Sequence, residues 1–326
     1  MKVNGEEVRS VEYDEGTNVI RLIDQRVLPE KLVFFDIRDY GEACYAIKEM
    51  VVRGAPAIGV TAAFAMAQAH LQKRDMNEVA SALRSTRPTA YDLNYAVTEM
   101  MDSRDPVKSA RRYCDSTLEK GRKIGEHGET LIQDGYTVMT HCNAGALATV
   151  DYGTALAPIR RARAMGRRMK VLVSETRPRL QGAKLTAWEL VNEGIEHYII
   201  ADGASGYFMR RGMVDLVIVG ADRVVSNGDF ANKIGTYEKA VLARENGVPF
   251  YVAAPVSTFD FSTESGEGIP IEERSEDEVL SVSGRRIAPQ GSRALNPAFD
   301  VTPSRYVTGF ITEQGILKPD EIKKIR

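Results

Sequence analysis

Cysteine and histidine are scarce in this 326-residue chain, three of one and four of the other. Cys44, Cys114 and Cys142 are an odd number at unrelated spacings, which excludes a disulfide framework and a thiolate zinc site; the histidines show no ligand spacing either. No bound metal is expected. An excess of one charge sign is also missing. The 43 basic and 45 acidic residues are well mixed, for a formal net charge of -2, so there is no basic stripe of the kind that neutralises a nucleic-acid backbone. The local clusters at 160–163 and 167–170 fit the solvated face of a helix. No apolar run approaches the roughly 18 residues of a membrane span, and residues 1–13 lack the basic-then-apolar pattern of a signal peptide. The expectation is a cytoplasmic protein that binds neither membrane nor nucleic acid.

What is present is the composition of a globular protein, 43% hydrophobic and 27% charged, long enough for two domains. Residues 8–35 alternate apolar and polar positions around Asp14-Glu15-Gly16 and Leu28-Pro29, the pattern of a small antiparallel meander. From residue 40 the period becomes helical, predicting helices over 40–52, 57–71, 76–85, 90–102 and 107–134, the last with a break near Gly121 or Gly125. After Gly135, short apolar runs at 137–140, 171–173, 198–200, 216–219 and 250–253 alternate with helical segments, which predicts parallel βαβ units with right-handed crossovers. The fold class is therefore α/β: a Rossmann-like, mostly parallel sheet domain (126–326) preceded by a mainly helical domain with a small β meander (1–125).

Four segments carry chemistry. In Arg53-Gly54-Ala55-Pro56, Gly54 permits close backbone approach and Pro56 suits a helix start. The N–H groups at 54 and 55, the helix dipole and Arg53 would together hold a phosphate; the other reading is a plain helix start with a surface arginine. Cys142 follows the strand at 137–140. It is either a thiol activated by a helix amino terminus or a buried inert one, and Cys44 and Cys114 read as core. His141 either orients the site or ends the strand. In 174–186, Gln181 would read hydroxyls and Arg177 would pair with phosphate, unless the segment is an ordinary loop. Asp222 follows the apolar run at 215–220, with Asn232-Lys233 shortly downstream; the alternatives are a helix cap at Asp222 and a plain turn at Asn227-Gly228. Three of these segments follow predicted parallel strands, so their residues converge on one sheet edge, as a site for a phosphorylated small molecule requires. No GxGxxG follows the first of those strands, which argues against a nucleotide-dependent dehydrogenase.

With RGAPAIG at 53–59, RPTA at 87–90, THCNAGALAT at 140–149, ETRPRLQGAKLTAWEL at 175–190, GADRVVSNGDFANKIGT at 220–236, FYVAAPVSTFD at 250–260, IPIEER at 269–274 and NPAFDVTP at 296–303, the chain resembles the methylthioribose-1-phosphate isomerases. Their superfamily includes ribose-1,5-bisphosphate isomerases and regulatory subunits of translation initiation factor two-B. The resemblance implies Cys142 and Asp222 as the catalytic pair, with Arg53, Gly54, Ala55, Arg87, Gln181, Asn232 and Lys233 contacting a sugar phosphate. It further implies a homodimer that uses no metal or cofactor. The reaction it implies converts 5-methylthioribose 1-phosphate to 5-methylthioribulose 1-phosphate in methionine salvage. Asp92-Leu93-Asn94-Tyr95 departs from the pattern, which would have asparagine first and tryptophan last, and this bears on the substituent at sugar carbon 5. Ribose 1,5-bisphosphate is the alternative substrate, and a non-catalytic regulatory subunit that senses sugar phosphate or nucleotide is the alternative of another class. In the isomerase, Asp222 would protonate the ring oxygen. Hydrogen would then pass from carbon 2 to carbon 1, either with a Cys142 thiolate as base or as a hydride in a dry pocket that Cys142 shapes. Residues 203–211 fit a pocket wall or an interface.

Overall fold

The computed structural model describes residues 1–87 and 91–325; Pro88 to Ala90, within the RPTA motif, lie outside the described residues. The expected meander is formed by β1 (Val11–Asp14), β2 (Val19–Ile23) and β3 (Phe34–Ile37), paired antiparallel. The pleat sends Ile20 and Leu22 into the core, while Arg21 on the other face pairs with Asp36 at 2.9 Å.

Five helices follow: α1 (Tyr40–Lys48), α2 (Ala55–Leu71), α3 (Met76–Thr86), α4 (Tyr91–Met101) and α5 (Pro106–Glu129). Thirteen consecutive residues of α2, Ala57 to Ala69, are buried, many of them alanine. A helix apolar all round belongs at a centre, and α2 packs against the other four. No break interrupts α5. Its glycines serve close approach instead: a Cβ on Gly121 would lie 3.1 Å from the Gly153 carbonyl oxygen, and one on Gly125 would lie 3.1 Å from that of Ala157. The first half of α5 buries Ala110, Tyr113 and Cys114 in the helical core, whereas Ile124 joins the core under the sheet.

The parallel strands are β4 (Thr137–His141), β5 (Lys170–Ser174), β6 (His197–Ile200) and β7 (Leu216–Val219). A short hairpin comes next, β8 (Arg223–Val225) and β9 (Phe230–Lys233), turning at Asn227-Gly228 where Gly228 takes φ +84°. After β10 (Phe250–Ala253) come β11 (Phe259–Asp260), β12 (Phe299–Thr302), β13 (Gly309–Thr312) and β14 (Gly315–Leu317). The main sheet has the order β14-β13-β10-β7-β4-β5-β6, parallel except for β14; the small sheet has the order β11-β8-β9-β12. From β4 the chain runs outward one way through β5 and β6, then resumes at β7 on the other side of β4. The strand order therefore reverses between β4 and β7, and the crevice beyond their carboxyl ends is where open α/β sheets hold ligands. Among the described residues no helix is long and apolar enough to cross a membrane.

Gly128 offers a test of the α5 packing. In most helices Gly→Ala stabilises by roughly 0.5–1 kcal/mol. Here the new Cβ would lie 2.4 Å from Pro158 Cγ on the short helix Leu156–Ala164. Gly128→Ala should therefore destabilise by about 1–3 kcal/mol through overpacking. A melting temperature equal to or above that of the unaltered protein would contradict this packing.

Candidate active site

A pocket of about 720 Å³ occupies the β4/β7 crevice. All nine residues named from the sequence line it: Cys142 past β4, Asp222 past β7, Arg53, Gly54 and Ala55 at the start of α2, Arg87 after α3, Gln181 after β5, and Asn232 and Lys233 on β9.

Gly54 has φ +99°, and a Cβ there would lie 2.4 Å from the Ala148 carbonyl oxygen, so only glycine lets α2 begin this close to the sheet. Arg53 Nη1 donates to the Asn143 carbonyl at 2.9 Å and Nη2 to Asn143 Oδ1. Its Nε is buried without a partner.

Cys142 adopts φ +61°, a left-handed conformation costly for a residue with a Cβ. Its N–H donates to Thr176 Oγ1 at 2.9 Å and its carbonyl accepts from Thr186 Oγ1 at 2.7 Å. Of the two readings of Cys142, activation by a helix amino terminus has no helix beside it to act. The next helix, α6 (Ala146–Thr149), starts four residues later, and its Ala146 and Leu147 N–H groups donate to the Glu189 carboxylate at 2.9 and 3.1 Å. Burial instead pushes the Cys142 thiol up, against the downward pull of Arg53 and Lys233. That direction favours the neutral thiol over the thiolate.

Asp222 caps no helix; its N–H donates to the Ala231 carbonyl at 2.9 Å, tying it to the hairpin. Burial raises its carboxyl pKa, although Lys233, Arg87, Arg274 and Arg53 all pull it down. Lys233 donates from Nζ to the Ala298 carbonyl at 2.8 Å and sits 4.1 Å from the Phe299 ring centroid. Burial, and then Arg274, bring its pKa down to about 8. Arg87 and Arg274 share Glu272, at 3.3 and 2.9 Å. Asn232 Nδ2 donates to Thr236 Oγ1 at 2.9 Å, whereas the Gln181 Oε1 is buried with no partner.

Arg274 and Phe299 are site residues the sequence reading missed. Arg274 ends IPIEER, a motif that follows no predicted strand, so nothing local aimed it at the crevice. Arg177 is not a phosphate ligand: it donates to the Pro178 and Val279 carbonyls at 2.7 and 2.8 Å, fastening a loop. His141 Nε2 lies 2.8 Å from the Ile234 carbonyl, and burial followed by Lys239 lowers its pKa, so a neutral imidazole ties β4 to the residue after β9. Residues 203–211 do not line the pocket.

A second chamber of about 540 Å³ is lined by Ile58, Tyr91, Ile269, Ile271 and Phe299 together with Arg87, Asp222 and Arg223. Arg223 is 3.6 Å from Asp260. Asp92 does not reach this chamber. It is buried with Lys120 in a neighbouring cleft that shares Pro56, Thr149, Thr154 and Pro255 with the main pocket; both its carboxylate oxygens are unpartnered, and burial pushes its pKa up to about 7.

The model of the Initiation factor 2 subunit family matches residues 51–319. A methylthioribose-1-phosphate isomerase of Thermotoga neapolitana is 51% identical over 328 residues, covering 94% of this chain and 96% of the relative. Among solved structures, 5-methylthioribose 1-phosphate isomerase from Pyrococcus horikoshii superposes with a TM-score of 0.89 at 42% identity, covering 98% of this chain and 96% of the other. The translation initiation factor eIF-2B subunit delta from A. fulgidus superposes with a TM-score of 0.84 at 40% identity, covering 98% and 99%.

The raised thiol of Cys142 is directly measurable. Because only the thiolate alkylates, its reaction with iodoacetamide should be slow at pH 7 and should keep accelerating past pH 9. Peptide mass analysis separates Cys142 from Cys44 and Cys114. A rate that levels off below pH 8 would contradict the assignment.

Proposed function

This chain belongs to the Initiation factor 2 subunit family, alongside relatives named methylthioribose-1-phosphate isomerase, and we propose that it isomerises 5-methylthioribose 1-phosphate to 5-methylthioribulose 1-phosphate. The observation that carries this reading is a protonatable carboxyl, Asp222, set among cations opposite a neutral thiol in one crevice. A site that merely held a phosphate would gain from Lys233, Arg87, Arg274 and Arg53, but a buried carboxylate among them would oppose the ligand. A proton donor accounts for it.

The anomeric oxygen of this substrate carries the phosphate, so ring opening needs an acid at the ring oxygen. The cations and the start of α2 hold the phosphate by charge-assisted hydrogen bonds and fix the ring over Asp222 and Cys142. Asp222 gives its proton to the ring oxygen as the bond from that oxygen to carbon 1 breaks. A hydride then passes from carbon 2 to the electron-poor carbon 1, the carbon-2 hydroxyl gives its proton to the Asp222 carboxylate, which restores the acid, and the ketone forms. Cys142, uncharged at neutral pH, serves as an apolar wall for this transfer rather than as a base. The chamber beside Asp222 suits a methylthio group through Ile58, Tyr91, Ile269 and Ile271; a second phosphate would have only Arg87 and the Asp260-paired Arg223 there. The reading extends to a cytoplasmic homodimer, for which the edge strand β6 offers the exposed apolar side chains Tyr198 and Ile199.

Assay of both sugars should give turnover with 5-methylthioribose 1-phosphate and far less with ribose 1,5-bisphosphate. Asp222→Asn should lose about 10²–10⁴-fold in kcat, the range general acid catalysis supplies. Activity on neither sugar, or near-normal turnover by the variant, would overturn the reading.

A further inference from the structure

Arg53 lines the pocket, and two of the five N–H donors of its guanidinium go to Asn143. Nη1 gives one hydrogen to the backbone carbonyl and Nη2 gives one to Oδ1, which fixes the plane of the group and leaves a second hydrogen on each terminal nitrogen. Asn143 can accept there only if its amide is turned one way, and that orientation is fully determined. Nδ2 donates both hydrogens, to Glu189 Oε1 at 2.8 Å and to Thr186 Oγ1 at 3.1 Å. Oδ1 must therefore face Arg53.

Glu189, only 1% exposed, also accepts from the N–H groups of Ala146 and Leu147 and from Arg160 Nη2 at 2.5 Å. Arg160 in turn reaches Glu193 at 2.6 Å, so its charge is balanced twice. A Cβ on Gly145 would lie 2.2 Å from a Glu189 oxygen, which shows how closely the carboxylate is seated under the loop that carries Cys142. A carboxylate accepts from every direction, and four donors converge on it; a neutral amide in its place would set a donor against one of them.

We infer that Glu189 and Asn143 are positioning residues, which aim the Arg53 guanidinium so that its remaining N–H groups meet the substrate phosphate. The inference rests on the isomerase reading for the identity of the substrate but not for the direction of its effect. Glu189→Gln, and independently Asn143→Ala, should raise KM roughly tenfold, the scale of one misdirected charge-assisted hydrogen bond, with kcat within about threefold of the unaltered enzyme.

Two controls separate aiming from general loosening. Glu193→Gln removes a partner of the same Arg160 without touching Asn143, and should lower thermal stability while leaving KM alone. In an Arg53→Ala background, Glu189→Gln should have no further effect on affinity. Binding of 5-methylthioribose 1-phosphate by calorimetry runs in parallel, so that a protein that binds but does not turn over would sink the proposed function and still test the positioning through Kd. An unchanged KM and Kd in folded Glu189→Gln and Asn143→Ala, an equal rise in Glu193→Gln, or a full Glu189→Gln effect without Arg53 would each overturn the inference.

Discussion

The site depends on taking Asp222 out of water while four cations stay within electrostatic reach. Desolvation favours the neutral acid and the cations favour the carboxylate, so its protonation state rests on a balance of opposed effects. A phosphorylated ligand shifts that balance. Once a dianion engages Lys233, Arg87, Arg274 and Arg53, their pull on Asp222 is offset and a negative charge is added nearby, both of which raise its pKa. The proposed acid is thus most fully armed when the phosphate is in place. The same burial pushes the Cys142 thiol up, so desolvation favours the uncharged form of both strand-end groups.

The rest of the fold serves to bring these groups into one crevice. The strand-order reversal between β4 and β7 opens it, the small residues of α2 let a helix start reach the sheet, and Gly54 removes the one side chain that would block it. The small sheet holds β9 so that Lys233 points inward, and its partner β12 brings Phe299 against the lysine ammonium. Nearly every cation at the site is fixed by a carboxylate or carbonyl before substrate arrives, which reduces the ordering cost of binding.

Much of this was legible in the sequence because it is local. An apolar run followed by Asp222, or a glycine before Pro56, carries its meaning within a few residues, and the five long helices and five parallel strands announce themselves by period. What failed was of two kinds. Glycine has more than one use, so Gly121 and Gly125 were read as breaks when they permit contact with the chain at 153–157. The other failures are long-range. The helix after Cys142 starts late and spends its N–H groups on Glu189, 43 and 42 residues away in sequence. Arg274 reaches the pocket from a segment with almost no regular structure. The strands β8 and β9 carry Arg223, Asn232 and Lys233 where the parallel strands of similar length have continuous apolar runs.

The central claim is that a neutral thiol and a buried acid direct a hydride within the substrate instead of exchanging a proton with solvent. The most direct measurement follows turnover of 5-methylthioribose 1-phosphate carrying deuterium at carbon 2, in ordinary water, with the product analysed by NMR. The account predicts that deuterium appears at carbon 1 of the ketose in full. Loss of the label to solvent at a rate comparable with turnover would contradict it and return Cys142 to the role of base.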